Sequence, residues 1–542
     1  MNRKYAAAAA MSGIVLAVPG PAVAHAAAPE ARTITRDGAS ITFQRVAAPA
    51  TQRSGSGPVT SDFDGDGLDD IAAAARGGVV VRYSSGGHVD YLGGTGGGDA
   101  LTLGAAITSG DFDNDGYDDL VVGNPAEADG TNRTVAGGLW IFPGSADGLR
   151  ASAVRHLNQS SAGVPGDAEA GDEFGGALAA GDINGDGRAD LAVGLPGETI
   201  GTVPDAGGLV MFLSDARGIS TTGARWLDQG TAYVPGSPTP WDRFGDRLAI
   251  GHFNHDGYGD LAIASTGENE GGTGASRGMV NLILGAGTGL NVIGVFSVEG
   301  DDFGTAAPGV RPVRLGYGGL TMADTDKDGA DELFAGTPEA VVAGADRAGM
   351  VAVLKGGNDG FFVTPSSVLT RATAGVPDDP RAGDGFGAAV AAGDVTGDGL
   401  GDLVVGVPGQ DVVDAPGAPR GTVADAGVTS LFRGTATGLV PHGGDISQGY
   451  EYVDGVAEPG DRFGHDVRVL NLDGRDGLDA IVSSPGEHGT DLGAPAPPPG
   501  DTPGAIYECL GGDPNFMYGI GCTTGTEVAT PGFAATVYGY VL

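Results

Sequence analysis

The sequence predicts an all-β protein, a seven-bladed β-propeller, on three observations. A nine-residue acidic frame recurs seven times, beginning at Asp62, Asp111, Asp182, His252, Asp324, Asp394 and Asn471. The modules are about seventy residues long, room for four short strands each. Each frame is also embedded in the same order of short motifs, with Gly and Pro at the turns. No window keeps a 3.6-residue apolar period free of Gly or Pro long enough for a helical repeat. A straight β-solenoid is the second architecture, disfavoured because its coils are usually shorter than these modules.

Residues 1–26 read as a signal peptide: a basic start at Asn2-Arg3-Lys4, an apolar stretch from Ala6 to Val18, then small residues before a cut at Ala24 or Ala26. The apolar run is short and is followed by Pro19 and Pro21, which argues against a membrane anchor, and no later segment has the length a span requires. The mature chain is therefore expected to be secreted, extracellular and without a membrane span. Residues 27–54 read as a linker rich in Ala, Pro, Ser and Gly, with a candidate closing strand at 39–46, where apolar and polar residues alternate. Residues 55–542 are assigned to the propeller. Its ring closes on the last blade in either of two ways, by 39–46 from the N-terminus or by 534–541 as an outer strand.

Ahead of the acidic frame, Phe-Gly stands at Phe174-Gly175, Phe244-Gly245, Phe386-Gly387 and Phe463-Gly464, with Leu103-Gly104 as a variant. After it comes Gly-x-Pro, at Gly123-Asn-Pro125, Gly194-Leu-Pro196, Gly336-Thr-Pro338 and Gly406-Val-Pro408. A β-prone run follows, such as Leu209-Val-Met-Phe212, and then a glycine turn. Each module thus reads strand, acidic loop, strand, long loop, strand, turn, strand.

Within the frame, oxygen-bearing side chains occupy places 1, 3, 5 and 9 and Gly usually place 6. Ca2+ takes six to eight oxygens, and a tight turn lets alternate side chains and the place 7 carbonyl converge on it. Four loops have full sets: Asp62, Asp64, Asp66 and Asp70; Asp111, Asp113, Asp115 and Asp119; Asp182, Asn184, Asp186 and Asp190; Asp324, Asp326, Asp328 and Glu332. Two are weaker, at Asn254, Asp256 and Asp260, where His252 holds place 1, and at Asp394, Asp398 and Asp402, where Thr396 holds place 3. The last, with Arg475 at place 5, is expected to be empty. The metal-free alternative for each is an Asp/Gly hairpin held by Asx turns. An EF-hand is excluded, because place 12 is Ala73, Val122 or Val193 instead of Glu.

Phe-Gly, an Asp-x-Asp-x-Asp-Gly-x-x-Asp loop and Gly-x-Pro together resemble the FG-GAP repeat of the integrin α-subunit N-terminal propeller and its secreted bacterial relatives, over roughly residues 55–540. The resemblance implies seven blades with Ca2+ in the hairpin between the first and second strands, in several structural sites, and an integrin-like role in cell adhesion. Ligand binding that depends on a β-subunit is not carried over.

Asp and Glu number 69 against 29 Lys and Arg, for a net charge of -40, and the three lysines are Lys4, Lys327 and Lys355. Nucleic acid is thereby excluded as a partner. The cysteines, Cys509 and Cys522, are expected to form a disulfide in an oxidising compartment. Gly274-Ala-Ser276-Arg-Gly278 fits a nucleophile-elbow pattern, but a β-prone run follows it where a helix is required. His465 and His488, near Asp466 and Glu487, are surface histidines unless a groove gathers them. No catalytic residue is assigned. Two functions stand: a non-catalytic, monomeric, Ca2+-binding adhesion module for an extracellular protein or glycan, and a secreted hydrolase or lyase acting on a polysaccharide or glycolipid. Fold alone does not choose between them. The absence of residues left over for a catalytic domain favours binding, and a cluster of His, Arg and acid at the channel mouth would favour the enzyme.

Overall fold

The computed structural model describes residues 31–541 except 51–54, 56–58, 76–77, 95–101, 129–133, 270–275, 304–308, 358–364, 414–420, 450–452, 454, 476, 488–504, 510, 512–521, 525–528, 531–532 and 535–536. The expected signal segment, His488 and part of the Gly274–Gly278 motif lie outside the described residues. No helix among the described residues is long and apolar enough to cross a membrane.

Seven antiparallel sheets succeed one another along the chain, one per acidic frame, as the blades of a propeller. Blade three shows the plan: Ala177–Gly181, Asp190–Leu195, Gly208–Phe212 and Arg225–Leu227, in that order from the axis outward. First and second strands form a hairpin around the acidic frame, with Gly181 opposite Asp190. In blades three and six the first strands are small-residue segments, ALAAG and AVAAG, suited to strands that converge on one axis. Second strands lie between neighbouring sheets, and in blades two to seven every residue of them is buried. That two-sided burial explains their continuous apolar runs.

The Phe-Gly and Gly-x-Pro motifs join one blade to the next. Phe174, Phe244, Phe386 and Phe463 are fully buried. They bridge to Gly137, Gly207, Gly349 and Gly427 of the preceding blade. Burying such a ring contributes about 1.5–3 kcal/mol. The glycines permit the backbone approach: a Cβ on Gly194 would stand 2.2 Å from the carbonyl oxygen of Gly245 in the next blade, and Gly245 has φ 85°.

Closure differs from both sequence expectations. The strand Val537–Val541 is the innermost of blade one, pairing with Ile71–Ala75. Ala39–Ala50 pairs with Gly86–Gly94 on the outer side of the same blade, and Arg32–Arg36 lies beyond it. Residues 32–50 are therefore strands of blade one, where a linker and a closing strand for the last blade were expected. The inner strand comes from the C-terminus because the described residues between Ala50 and the first frame contain no strand. Ile71–Ala75 would present an open sheet edge without one from elsewhere. Blade seven supplies its own four strands, the last being Cys522–Thr524. Cys509 is disulfide-bonded and stands in register with Cys522.

Candidate metal loops and the channel mouth

Where place 1 is Asp, its carboxylate folds the acidic loop around itself. Asp62 Oδ1 accepts the N–H groups of Gly65 and Asp66 at 2.7 and 3.1 Å, and Oδ2 accepts that of Gly67 at 2.9 Å. Asp182 does the same for Gly185, Asp186 and Gly187 at 2.7, 3.1 and 2.8 Å. The place 9 carboxylate ties the loop to its own blade. Asp190 accepts from the N–H of Ile183 inside the loop and of Ser214 after the third strand, at 3.2 and 2.8 Å. Asp260 repeats this with Phe253 and Gly285, both at 2.9 Å, and Asp70 with Phe63 and Ser84, at 2.9 and 2.8 Å.

Place 8 joins the loops to one another. Its N–H donates to the place 1 carbonyl of the preceding blade in every case: Asp118 to Asp62, Ala189 to Asp111, Gly259 to Asp182, Asp331 to His252, Gly401 to Asp324, Leu478 to Asp394, and Asp69 to Asn471. The last of these closes the circle from blade seven to blade one. Where place 8 is Asp, its carboxylate also accepts the place 1 N–H, at 2.7–2.9 Å. Place 8 carries no assignment from sequence, although Asp at Asp69, Asp118 and Asp331 was the available signal.

Among the described residues, three loops bring three carboxylate oxygens within 4.8 Å of one another: Asp62, Asp64 and Asp66; Asp111, Asp113 and Asp115; Asp324, Asp326 and Glu332. Asp70 and Asp119 stay outside these sets, tied to backbone. In blade three, Asn184 Oδ1 accepts the Asp186 N–H at 2.9 Å within the loop. Buried oxygens without a hydrogen-bond partner remain in the three sets, among them Asp66 Oδ2, Asp113 Oδ1, Asp324 Oδ1 and Asp326 Oδ1. A donor set of hard oxygens, crowded and unpaired, fits Ca2+. Burial pushes Asp66 up to about 6, with Asp64 and Asp62 adding to the rise. Burial likewise pushes Asp119, Asp190 and Asp260 up to about 7.

The weaker loops carry substitutes. In blade four, His252 Nδ1 meets the Tyr258 carbonyl, the place 7 oxygen, at 3.1 Å, and Asn254 donates to Asp256 at 2.9 Å. In blade six, Asp394 accepts from Asp398 and Gly399, Asp402 is clamped by Thr396 and Gly434, and Arg433 reaches Asp398. In blade seven, Arg475 pairs with Asp473 at 3.1 Å.

At the other end of the strands from these loops, the first strands line a central channel enclosing about 1310 Å³. Gly and Ala form a large part of its walls, and its lining includes Arg247, Tyr317, Arg347, Arg462, His465 and Arg468. Arg314 lies 3.6 Å and Arg247 5.3 Å from the Tyr317 ring centre. Burial of Asp246 is outweighed by the Arg247 and Arg243 guanidiniums, which hold its carboxyl below the ordinary range. Arg468 pairs with Asp466 at 2.8 Å. Burial lowers the pKa of His465, whose Nδ1 has no hydrogen-bond partner. The motif serine Ser276 leads into the strand Met279–Leu284, with no helix after it.

The family described as FG-GAP repeat matches residues 103–142, 174–210 and 386–431. The chain is similar to integrin alpha pat-2 of Caenorhabditis briggsae, 29% identical over 267 residues, which is 46% of this chain and 18% of the relative. It is also similar to integrin alpha-V of Gallus gallus, 30% identical over 241 residues, 43% of this chain and 20% of the relative. The chain thus spans about a fifth of the length of these curated relatives. Among solved structures, an arginine-to-alanine mutant of AofleA from Arthrobotrys oligospora aligns over 83% of this chain and 93% of its own, with 10% identity and a TM-score of 0.36. A rhamnogalacturonan lyase of Bacillus licheniformis aligns over 77% of this chain and 75% of its own, with 13% identity and a TM-score of 0.30.

Proposed function

We propose that this seven-bladed propeller of FG-GAP repeats, similar to integrin α-subunits, is a secreted, Ca2+-braced binding or adhesion module that takes an acidic protein or glycan at its channel mouth. The observation that carries the reading is the pair of exposed guanidiniums, Arg347 and Arg462, on a channel lining where Arg247 and Arg468 are paired with Asp246 and Asp466 and Glu339, Asp384 and Asp425 also stand, in a chain whose net charge is -40. Guanidinium groups recognise carboxylate and sulfate in a planar, two-pronged manner, and Arg is the cation suited to such surfaces. Arg347 and Arg462 are exposed there. Ca2+ acts at the opposite end, where it would be held by Asp62, Asp64 and Asp66 and by Asp111, Asp113 and Asp115. There it neutralises packed carboxylates and fixes the hairpins, so that metal binding stabilises the fold.

The second reading, a hydrolase or lyase on a polysaccharide or glycolipid, is favoured by one observation. His465 brings an imidazole of lowered pKa, with an unpartnered nitrogen, to the same channel as Arg462 and Asp466. A neutral imidazole is a competent general base.

A glycan array that includes uronate-bearing and sulfated chains, read beside a polysaccharide depolymerisation assay, separates the two. The binding reading expects retention that falls at least about tenfold when Arg347→Ala and Arg462→Ala are combined, equivalent to the loss of one charge-assisted contact pair. Turnover that disappears in His465→Ala transfers the conclusion to the enzyme. Retention unchanged by the double substitution removes the channel mouth as the binding site.

A further inference from the structure

We propose that blades five and six carry their own cations: Lys355 and Arg433 sit in the acidic loops and compete there with any divalent ion. The inference rests on the reading of these loops as divalent-cation sites and says which of them the chain has partly withdrawn from that role.

The two residues are equivalent. Lys355 directly follows the third strand Met350–Leu354, and Arg433 ends the third strand Val428–Arg433, each one residue before a turn glycine, Gly356 or Gly434. The same position is apolar in blades two, three and four, where it is Pro143, Leu213 and Leu284. A basic residue there is a choice of these two blades, and Lys355 is one of only three lysines in the chain.

Lys355 reaches three of the four candidate ligands of its loop. Its ammonium is hydrogen-bonded to Asp326, lies 2.9 Å from Asp328 Oδ2 and 3.7 Å from Glu332 Oε1. Those residues occupy places 3, 5 and 9. An ammonium is a compact charge with three donors, suited to bridging several carboxylates. Place 9 has changed to match. The Asp of the other frames bonds the N–H of the turn after the third strand, as Asp402 does with Gly434 at 2.9 Å. Glu332 instead turns Oε2 to the Thr325 N–H at 2.9 Å, leaving Oε1 toward the lysine. In blade six, place 3 is the neutral Thr396, and Arg433 directs Nε and Nη2 to Asp398 Oδ2 at 2.9 and 2.6 Å.

Cations elsewhere near the loops do less. Arg150 on Asp115 and Arg188 on Asp186 each make one contact at 3.4 Å to a single carboxylate. Lys355 does not exhaust its loop, since Asp324 Oδ1 and Asp326 Oδ1 keep no hydrogen-bond partner. A divalent ion therefore still finds oxygens there, but must expel or face an ammonium beside the carboxylates it would bind. Competition, not exclusion, is the expected behaviour.

Calorimetric Ca2+ titration of the chelator-treated full chain tests this. Lys355→Met is expected to add one site or tighten the weakest by about tenfold or more, the scale of removing a unit charge a few ångströms away. Adding Asp328→Ala to that variant should abolish the gain. Lys355→Arg should resemble the wild type, and Lys355→Gln serves in place of Lys355→Met if the latter does not fold. Equal site number and affinity in wild type and the neutral variant would overturn the proposal. Asp64→Ala in blade one is the control. If it removes a site while Lys355→Met gains none, only the competition fails; if no variant binds Ca2+, the metal reading fails with it.

Discussion

The backbone N–H of Asp69 donates to the carbonyl of Asn471 at 2.7 Å, and the Asp69 carboxylate accepts the Asn471 N–H at 2.7 Å. The two residues are 402 apart in sequence and join blade one to blade seven. The same carboxylate accepts the N–H groups of Thr60 and Ser61 at 2.6 and 2.7 Å, and Asp69 is 2% exposed. Asp69→Ala would strand two buried donors, the N–H groups of Ser61 and Asn471, each costing about 1–3 kcal/mol when unmet. The expected outcome is a loss of about 2 kcal/mol or more in denaturant unfolding, with Asp69→Asn losing less. Amide exchange should show the added opening first in blades one and seven. Opening confined to blades three to five would remove this contact as the seam of the ring.

Gly194→Ala tests the meaning of Gly-x-Pro. The added methyl would meet the Gly245 carbonyl at 2.2 Å, and a backbone atom on an adjacent sheet cannot step aside as a flexible side chain can. A destabilisation of about 1–3 kcal/mol is expected, typical of overpacking, measured by thermal and chemical unfolding. Gly201→Ala, with nothing within 4 Å of its Cβ but φ 66°, isolates the backbone-strain component.

These two residues mark how far the sequence was legible. The repeat count, the four-strand plan and the role of Phe174 and Gly194 as recurring motifs could be read because they are local and repeated, the acidic frame seven times and, at their fixed places beside it, Phe-Gly and Gly-x-Pro four times each. The strand Val537–Val541 in blade one could not, since nothing near residue 71 records what will cover its edge. Place 8 was passed over because its contact is made mainly by backbone, for which Asp69, Ala189 and Leu478 serve equally. Lys355 was invisible as a loop residue because it lies beyond the frame by 23 residues from Glu332, and only the hairpin geometry of the third strand brings it back.

Glu198→Gln examines a second kind of seam. Gln159, after the outer strand of blade two, donates through Nε2 to Glu198 Oε2 of blade three at 3.0 Å, and the spacing of 39 recurs at Gln229 with Glu268 and at Gln448 with Glu487. Burial, with Asp172 adding, pushes the Glu198 carboxyl up to about 8 from 4.5. The folded chain therefore keeps a proton that the unfolded chain releases, so stability from this group declines as pH rises from about 4.5 to about 8. Glu198→Gln preserves an acceptor for Gln159 without the charge. Its melting temperature should exceed that of the wild type at pH 8 and converge with it toward pH 5. A difference independent of pH would show that Glu198 does not titrate in this window.

Chelation is expected to expose the cost of the crowded loops, and pH gives its sign. Asp66 is pushed up to about 6, and Asp119 and Asp190 to about 7, from 3.8, by burial among other carboxylates. Each is an acid whose folded pKa is raised, so without metal its loop loses stability as pH climbs from about 4 to about 7. Ca2+ binds the ionised form and is itself displaced by protons at low pH. The melting temperature of EGTA-treated protein should therefore fall between pH 5 and pH 8, and millimolar Ca2+ should raise it at pH 8 far more than at pH 5. Asp66→Asn should shrink both effects, because it removes one charge from the set formed by Asp62, Asp64 and Asp66 while keeping an oxygen. A melting temperature indifferent to Ca2+ at pH 8 would identify these loops as hairpins held by their own Asx hydrogen bonds, with no metal taken up by the ionised carboxylates of Asp66 and Asp190.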